Sequence, residues 1–251
     1  AELVISSIAD MTICTGQSID IWVSPNGGTP GFTYNWDNGL GNSPIHTVNP
    51  TVTTVYNVTI DDANGCTSAT ETITVTVNPP LSLNALNISI CLGDDATIVA
   101  TASGGNGGPY FYAWDNGATA SSQTISGITS NTTFLVTISD QCSPDVNGSV
   151  DVTVNPIPDA SFTGYGVGCE PYVFVGLLAN PGTVPIQTWI WDFGDGSPVS
   201  NDPDSVSHIY TTSGQYTVTL VVISFNGCMD TVVQPDIADV YGLPTAEFIM
   251  S

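Results

Sequence analysis

The sequence predicts an all-β protein: three tandem β-sandwich domains in an extended array, with the start of a fourth at the C-terminal end. Three observations carry this. Cysteines recur in pairs of similar spacing, 52 positions from Cys14 to Cys66, 51 from Cys91 to Cys142 and 59 from Cys169 to Cys228. A tryptophan follows the first cysteine of each pair by 22 or 23 positions, at Trp36, Trp114 and Trp191. Between these markers, runs such as "TVYNVTI", "ETITVTV", "TFLVTIS" and "QYTVTLVV" alternate β-formers with small polar residues at period two, and no stretch keeps a helical period.

The elements follow in order. The first unit, residues 1–79, opens its cysteine segment with "ICTGQSIDI", carries "YNWDNG" at its centre and closes with "TVTVNP". The second, 80–156, repeats the plan as "ICLGDDATI", "YAWDNG" and "DVTVNP"; the third, 157–243, runs from "VGCEPYVFVG" to "TVVQPDI". A repeat at this period is the mark of a tandem array. Short Pro-marked linkers separate the units, and "PTAEF" near the end echoes "PDASF" at the third unit's start, so 244–251 reads as the first strand of a further domain. Seven Asn-Gly dipeptides, at 26, 38, 64, 106, 116, 147 and 226, supply the positive φ of tight hairpin turns. About 80 residues with some seven short strands is the rhythm of an immunoglobulin-like sandwich, in which each tryptophan sits on a central strand and fills the space between sheets. Sandwiches of this size are roughly 40 Å long, which gives about 120 Å for three in series.

Composition narrows the function. The 251 residues include 23 acids and no Lys or Arg, for a net charge of −23, yet 41% are hydrophobic and five Trp, nine Tyr and eight Phe need burial. The chain therefore folds. A polyanion without a single Lys or Arg cannot neutralise phosphates, which excludes nucleic acid and anionic membrane surfaces as partners. No apolar run reaches the ~20 residues of a membrane-spanning helix, so this segment inserts in no membrane. A charged leader would need Lys or Arg, so the chain reads as a mature piece of something longer. Six cysteines and two distant histidines suit an oxidising compartment rather than a metal cluster. The repeat suggests pairing inside each unit, Cys14–Cys66, Cys91–Cys142 and Cys169–Cys228, out of fifteen possible connectivities.

Family resemblances follow from longer motifs. Trp191-Asp192-Phe193-Gly194-Asp195-Gly196-Ser197, then His208-Ile209-Tyr210, then Gly214-Gln215-Tyr216-Thr217-Val218-Thr219-Leu220, resembles the PKD domain signature W-D-F-G-D-G-S, H-x-Y and G-x-Y-x-V-x-L. "GTPGFTYNWDNG" and "VYNVTIDDANGC" are similar to the Ig-like and SprB-type repeats of giant surface proteins from gliding Bacteroidetes. The second unit matches through "GGPYFYAWDNGATA" and departs at "SDQCSPDVNG". The resemblance implies a stalk or repeat segment of an extracellular adhesin, exported by the type IX system to a Gram-negative cell surface. Its implied partners are neighbouring domains of the same long chain, the cell-surface or motility machinery and a polysaccharide substratum. Two other classes stand beside the adhesin: an accessory or carbohydrate-binding region of a secreted hydrolase, which the PKD resemblance also implies because such domains often flank catalytic domains, and an S-layer-like assembly protein.

The candidate sites are few. Asp192 and Asp195, with Asp202 and Asp204 nearby, are calcium candidates, since calcium takes six to eight oxygens. "DDANG" at 61–65 and "GDD" at 93–95 are similar candidates. The alternative, which the resemblance favours, is that the Asp side chains cap N–H groups of a glycine turn. No catalytic residues and no other cofactor are expected, because carboxylates for glycoside hydrolysis must face each other across a cleft. Trp22, Tyr110, Tyr112 and Trp189 are candidates for a glycan-binding face. Ser205 in "DSV" and Thr231 in "DTV" resemble Bacteroidetes O-glycosylation triplets.

Overall fold

The structure, a computed structural model, describes residues 2–178, 183–203 and 205–246. Among them are twenty-one strands and no helix, seven strands to each repeat. The first repeat forms β1 (Val4–Ser7), β2 (Met11–Ile13), β3 (Ile19–Asn26), β4 (Thr33–Trp36), β5 (Ile45–Val48), β6 (Thr54–Asp61) and β7 (Glu71–Val77). The second forms β8 (Ser82–Ala85), β9 (Ile88–Cys91), β10 (Ala96–Ser103), β11 (Phe111–Trp114), β12 (Ser122–Ile125), β13 (Thr132–Ser139) and β14 (Val146–Asn155). The third forms β15 (Phe162–Thr163), β16 (Gly166–Cys169), β17 (Tyr172–Leu178), β18 (Ile186–Asp192), β19 (Ser205–Tyr210), β20 (Gly214–Ser224) and β21 (Met229–Tyr241).

Each sheet takes its strands from one repeat, and the plan is the same three times. A three-stranded sheet (β1-β3-β5, β8-β10-β12, β15-β17-β19) accompanies a four-stranded one (β2-β7-β6-β4, β9-β14-β13-β11, β16-β21-β20-β18). The second strand of each repeat pairs parallel with the last, as in Ile13↔Val77, Cys91↔Asn155 and Cys169↔Tyr241. The period-two pattern puts Tyr56, Val58 and Ile60 of β6 and Ile73 and Val75 of β7 into one core with Ile21 and Val23 of β3. In the third repeat Phe162, Phe174, Trp191, Phe193, Tyr210 and Leu220 form an aromatic-rich equivalent. By compactness the chain falls into two units. One holds the chain up to Asn87 with Thr97–Thr124 and Thr133–Asp151; the other holds Ile88–Ala96, Ile125–Thr132 and the chain from Val152 onward.

Three expectations change here. The tryptophans lie on edge strands, β4, β11 and β18, not central ones. Their inward role stands for Trp114 (4% exposed) and Trp191 (0%), while Trp36 is half-buried against its core. Each indole N–H donates to a carbonyl in the segment that leaves its strand: Trp36 to Ser43, Trp114 to Ala120, Trp191 to Asp202. The edge position has a physical reason, since only there can the indole reach the chain as it crosses between sheets.

The Asn-Gly dipeptides are also more varied than hairpin turns. Six of the seven glycines have positive φ, but Gly148 lies inside β14, packed beneath Leu83. Only the pairs at 64 and 226 sit between adjacent strands of one sheet, β6–β7 and β20–β21.

The disulfides are the main correction. Cys14–Cys66, Cys91–Cys142 and Cys169–Cys228 do not form; the bridges are Cys14–Cys142 and Cys91–Cys228, each with Cα atoms 5.6 Å apart. Cys66 and Cys169 are free and exposed. Register explains why. Cys14 follows Ile13, which pairs with Val77 at the end of β7, whereas Cys66 precedes Glu71 at the beginning of β7. Seven extended residues separate the two ends by about 20 Å, well beyond the ~7 Å limit of a disulfide. The other two repeats have the same register: Cys91 lies beside Asn155 while Cys142 precedes β14, and Cys169 lies beside Tyr241 while Cys228 precedes β21.

Candidate functional site

The acidic turn grows out of β18. This strand pairs with β20 through Trp191↔Leu220 and Asp192↔Thr219, then leaves its sheet to reach β19, the edge strand of the other one. Asp192 Oδ1 accepts the N–H of Gly194 at 2.9 Å, and Asp195 Oδ1 accepts that of Ser197 at 3.0 Å. These are two consecutive Asx turns. Gly194 has φ +74°, and a Cβ there would overlap the backbone carbonyl of Thr217, so the turn presses against β20 at a point only glycine fits.

The second oxygen of Asp195 meets His208 Nε2 at 2.7 Å. The imidazole lies flat on Phe193, with centroids 4.1 Å apart and planes at 6°, and edge-on to Tyr210 at 4.8 Å. Buried Tyr210 donates its hydroxyl to Phe193 O at 2.9 Å and stacks on Tyr216 at 4.1 Å. The motif W-D-F-G-D-G-S, H-x-Y and G-x-Y is thus one clasp holding β18, β19 and β20 together. Burial alone would raise the Asp195 carboxyl, but the Ser197 and His208 hydrogen bonds outweigh it and lower it to about 2. Burial, with the Asp195 charge adding to it, pushes the Tyr210 phenol up.

These contacts occupy the carboxylates proposed for calcium. Asp202 bonds Ser200 Oγ at 3.0 Å, and Asp204 lies outside the described residues. Among the described residues no three acidic, His or Cys side chains converge as a metal site would require. The same holds at "DDANG": buried Asp62 accepts the N–H groups of Thr29, Asn64 and Cys66 at 2.9–3.0 Å, and the Cys66 and Thr29 bonds hold its carboxyl below the ordinary range. Asp94 and Asp95 are exposed.

Asp140, which sequence reasoning passed over, does the same work in the second repeat. It is 1% exposed and accepts N–H bonds from Asn106 at 2.8 Å, Cys142 at 3.0 Å and Ser143 at 2.6 Å. Burial raises its carboxyl, but these bonds together outweigh burial and hold it low. In the third repeat Ser224 Oγ takes this role, accepting the Cys228 N–H at 3.2 Å. A short polar side chain two or four residues before the second cysteine is the signal that marks all three.

The aromatic candidates are spread over the repeats, Trp22 in the first, Tyr110 and Tyr112 in the second and Trp189 in the third. Trp22 is 40% exposed on β3 opposite exposed Ile45 of β5. Tyr110 donates to Gly104 O, Tyr112 accepts the Ala102 N–H, and Trp189 packs partly against its core. Thr231 is exposed on β21, and the Ser205 side chain lies outside the described residues.

Comparison with known families accords with this geometry. Residues 153–238 match the PKD domain, so the clasp is that domain's signature segment, and residues 89–119 match the SprB repeat. Domains of the PKD and immunoglobulin-like kinds are typically structural or binding modules. Among solved structures, three N-terminal domains of the bacteriophage RB49 Highly Immunogenic Outer Capsid protein (Hoc) share the fold, with TM-score 0.58, 13% identity, and 97% of this chain and 99% of that one covered. Drosophila OTK extracellular domains 3–5 align with TM-score 0.43, 10% identity, and 97% and 98% covered. The chain is therefore a tandem immunoglobulin-like array that carries a PKD domain and a SprB repeat.

Proposed function

We propose that this chain is a structural stalk segment of a giant cell-surface adhesin of the gliding type, exported by the type IX system in a Gram-negative bacterium. The observation that carries the reading is a SprB repeat and a PKD domain on one chain, with covalent bridges from repeat to repeat. The proposed domain divisions are 1–79, 80–156 and 157–243, and the reading is supported by sheets that, among the described residues, each draw their strands from one repeat. The fourth domain proposed at 244–251 rests on residues of which 247–251 lie outside those described.

The mechanism is mechanical. Serially linked, disulfide-bridged sandwiches hold the adhesive region away from the cell, and 23 carboxylates with no Lys or Arg repel one another and discourage self-association. Disulfides agree with an extracellular site. The polysaccharide substratum and the motility machinery are the proposed partners of the whole adhesin. The test is labelling of intact source cells with an antibody against this segment. Signal on moving surface filaments supports the reading, and a product confined to the medium on a chain that bears a catalytic domain overturns it.

A further inference from the structure

The two bridges obey one rule. In each repeat the first cysteine ends, or in the case of Cys14 directly follows, the strand that pairs parallel with the last strand, and the second lies in the turn before that last strand. Cys14 of the first repeat bonds Cys142 of the second; Cys91 of the second bonds Cys228 of the third. First-position cysteines thus bond second-position cysteines one repeat further on. An asparagine of the "VNP" segment accompanies each bridge: Asn78 approaches Cys142 Sγ at 4.0 Å, and Asn155 Oδ1 accepts from Asn226 at 3.0 Å.

Cys66 and Cys169 hold the same two positions without a partner in this chain. Cys66 closes a five-residue turn in which Asp62 N–H donates to Cys66 O at 3.0 Å and Asp62 Oδ1 accepts the Cys66 N–H. Cys228 closes its own in the same way, with Ser224 N–H to Cys228 O at 2.8 Å and the Cys228 N–H to Ser224 Oγ. Cys169, on β16, pairs with the end of the last strand as Cys91, on β9, does: Glu170 N–H donates to Tyr241 O at 3.0 Å where Leu92 N–H donates to Asn155 O at 2.9 Å. Only their surroundings differ. Cys228 is 0% exposed and Cys14 4%, whereas Cys66 and Cys169 are open to solvent. Cys66 also lines a cavity of about 310 Å³ with Glu2, Leu3, Asp62, Thr67 and Ala69.

We propose that Cys66 and Cys169 are complementary docking positions for further repeats of this kind. Cys66 takes the first-position cysteine of a repeat on its N-terminal side, and Cys169 takes the second-position cysteine of a repeat on its C-terminal side. Every junction of the array then carries one disulfide. Each closure joins two thiols into one S–S bond, and the two electrons and two protons pass to a disulfide oxidant, which leaves as two thiols. The inference stands on the bridges alone and does not depend on the adhesin reading.

The test is two copies of the chain joined end to end and refolded with oxidised glutathione. One tandem carries Cys66→Ser in its first copy and Cys169→Ser in its second, so that Cys169 of the first copy and Cys66 of the second remain. The mirror tandem keeps only Cys66 of the first copy and Cys169 of the second, at the outer ends. Peptide mapping of Cys14–Cys142 and Cys91–Cys228 verifies that both fold. The expected result is at least tenfold more Cys169–Cys66 bridge in the first tandem, with two thiols lost to titration, than in the mirror. Equal bridging in the two, or thiols that stay free or end as glutathione adducts in both, overturns the proposal.

Discussion

Asp195 and His208 are joined at 2.7 Å across the crossover between sheets, and the same imidazole lies on Phe193, two residues before that aspartate. The contact therefore ties the turn to the opposite sheet by a hydrogen bond and by stacking. The carboxyl falls from its ordinary 3.8 to about 2 in the folded chain. Its contribution is complete above about pH 4 and is lost as the pH falls towards 2. Asp195→Asn is expected to lower stability at pH 6 by about 1 kcal/mol, allowing for solvent screening, and to change little at pH 2. Urea denaturation of both proteins across this range measures it. Relief of acidic repulsion at low pH is common to both and cancels in the difference.

Gly194 and Gly196 share positive φ but not surroundings: a Cβ at Gly194 meets the Thr217 backbone, and one at Gly196 meets nothing within 4 Å. Gly196→Ala should cost about 1 kcal/mol, from backbone conformation alone. Gly194→Ala adds a clash that no side chain can relieve and should cost more than about 2 kcal/mol. Equal midpoints in denaturant would refute the clash.

Asp140 satisfies three buried or half-buried N–H groups beside the Cys14–Cys142 bridge. Asp140→Ala leaves them unpaired and should destabilise by roughly 3 kcal/mol. Asp94→Ala, at an exposed position, should stay within about 0.5 kcal/mol. Thermal unfolding of the two variants against the parent separates them.

Because Asp192, Asp195 and Asp202 already hold turn N–H groups, His208 and Ser200, calcium should act on this chain only as an ionic-strength agent. A melting temperature that rises with calcium no more than with sodium chloride of equal ionic strength is the expected outcome. A logarithmic rise specific to calcium would require a site that these residues do not build.

Thiol mapping of the intact chain should find Cys14–Cys142 and Cys91–Cys228 bonded, with Cys66 and Cys169 reactive to an alkylating reagent under native conditions. The bridges close loops of 128 and 137 positions. Loop entropy sets an upper bound of about 5 kcal/mol on each, so reduction should lower the melting temperature.

The all-β class, the threefold repeat and the inward tryptophans were legible in the sequence, because period-two alternation and recurring markers are local properties of a strand. The glycine turn with Asp caps was a reading the sequence offered, since W-D-F-G-D-G-S places its turn-forming residues within one short segment, but the pairing of Asp195 with His208 and the stacking on Phe193 depend on which strands lie side by side. Cysteine pairing was not legible. Pairing inside each repeat and pairing shifted by one repeat both preserve the 14/66, 91/142, 169/228 periodicity, and spacing along the chain cannot separate them. Tertiary structure decides, because the parallel pairing of Ile13 with Val77 sends Cys14 to one end of the sandwich and leaves Cys66 at the other, about 20 Å away. Edge placement of Trp36, Trp114 and Trp191 was hidden for the same reason: strand order in a sheet depends on which distant strands pair, and no local pattern records it.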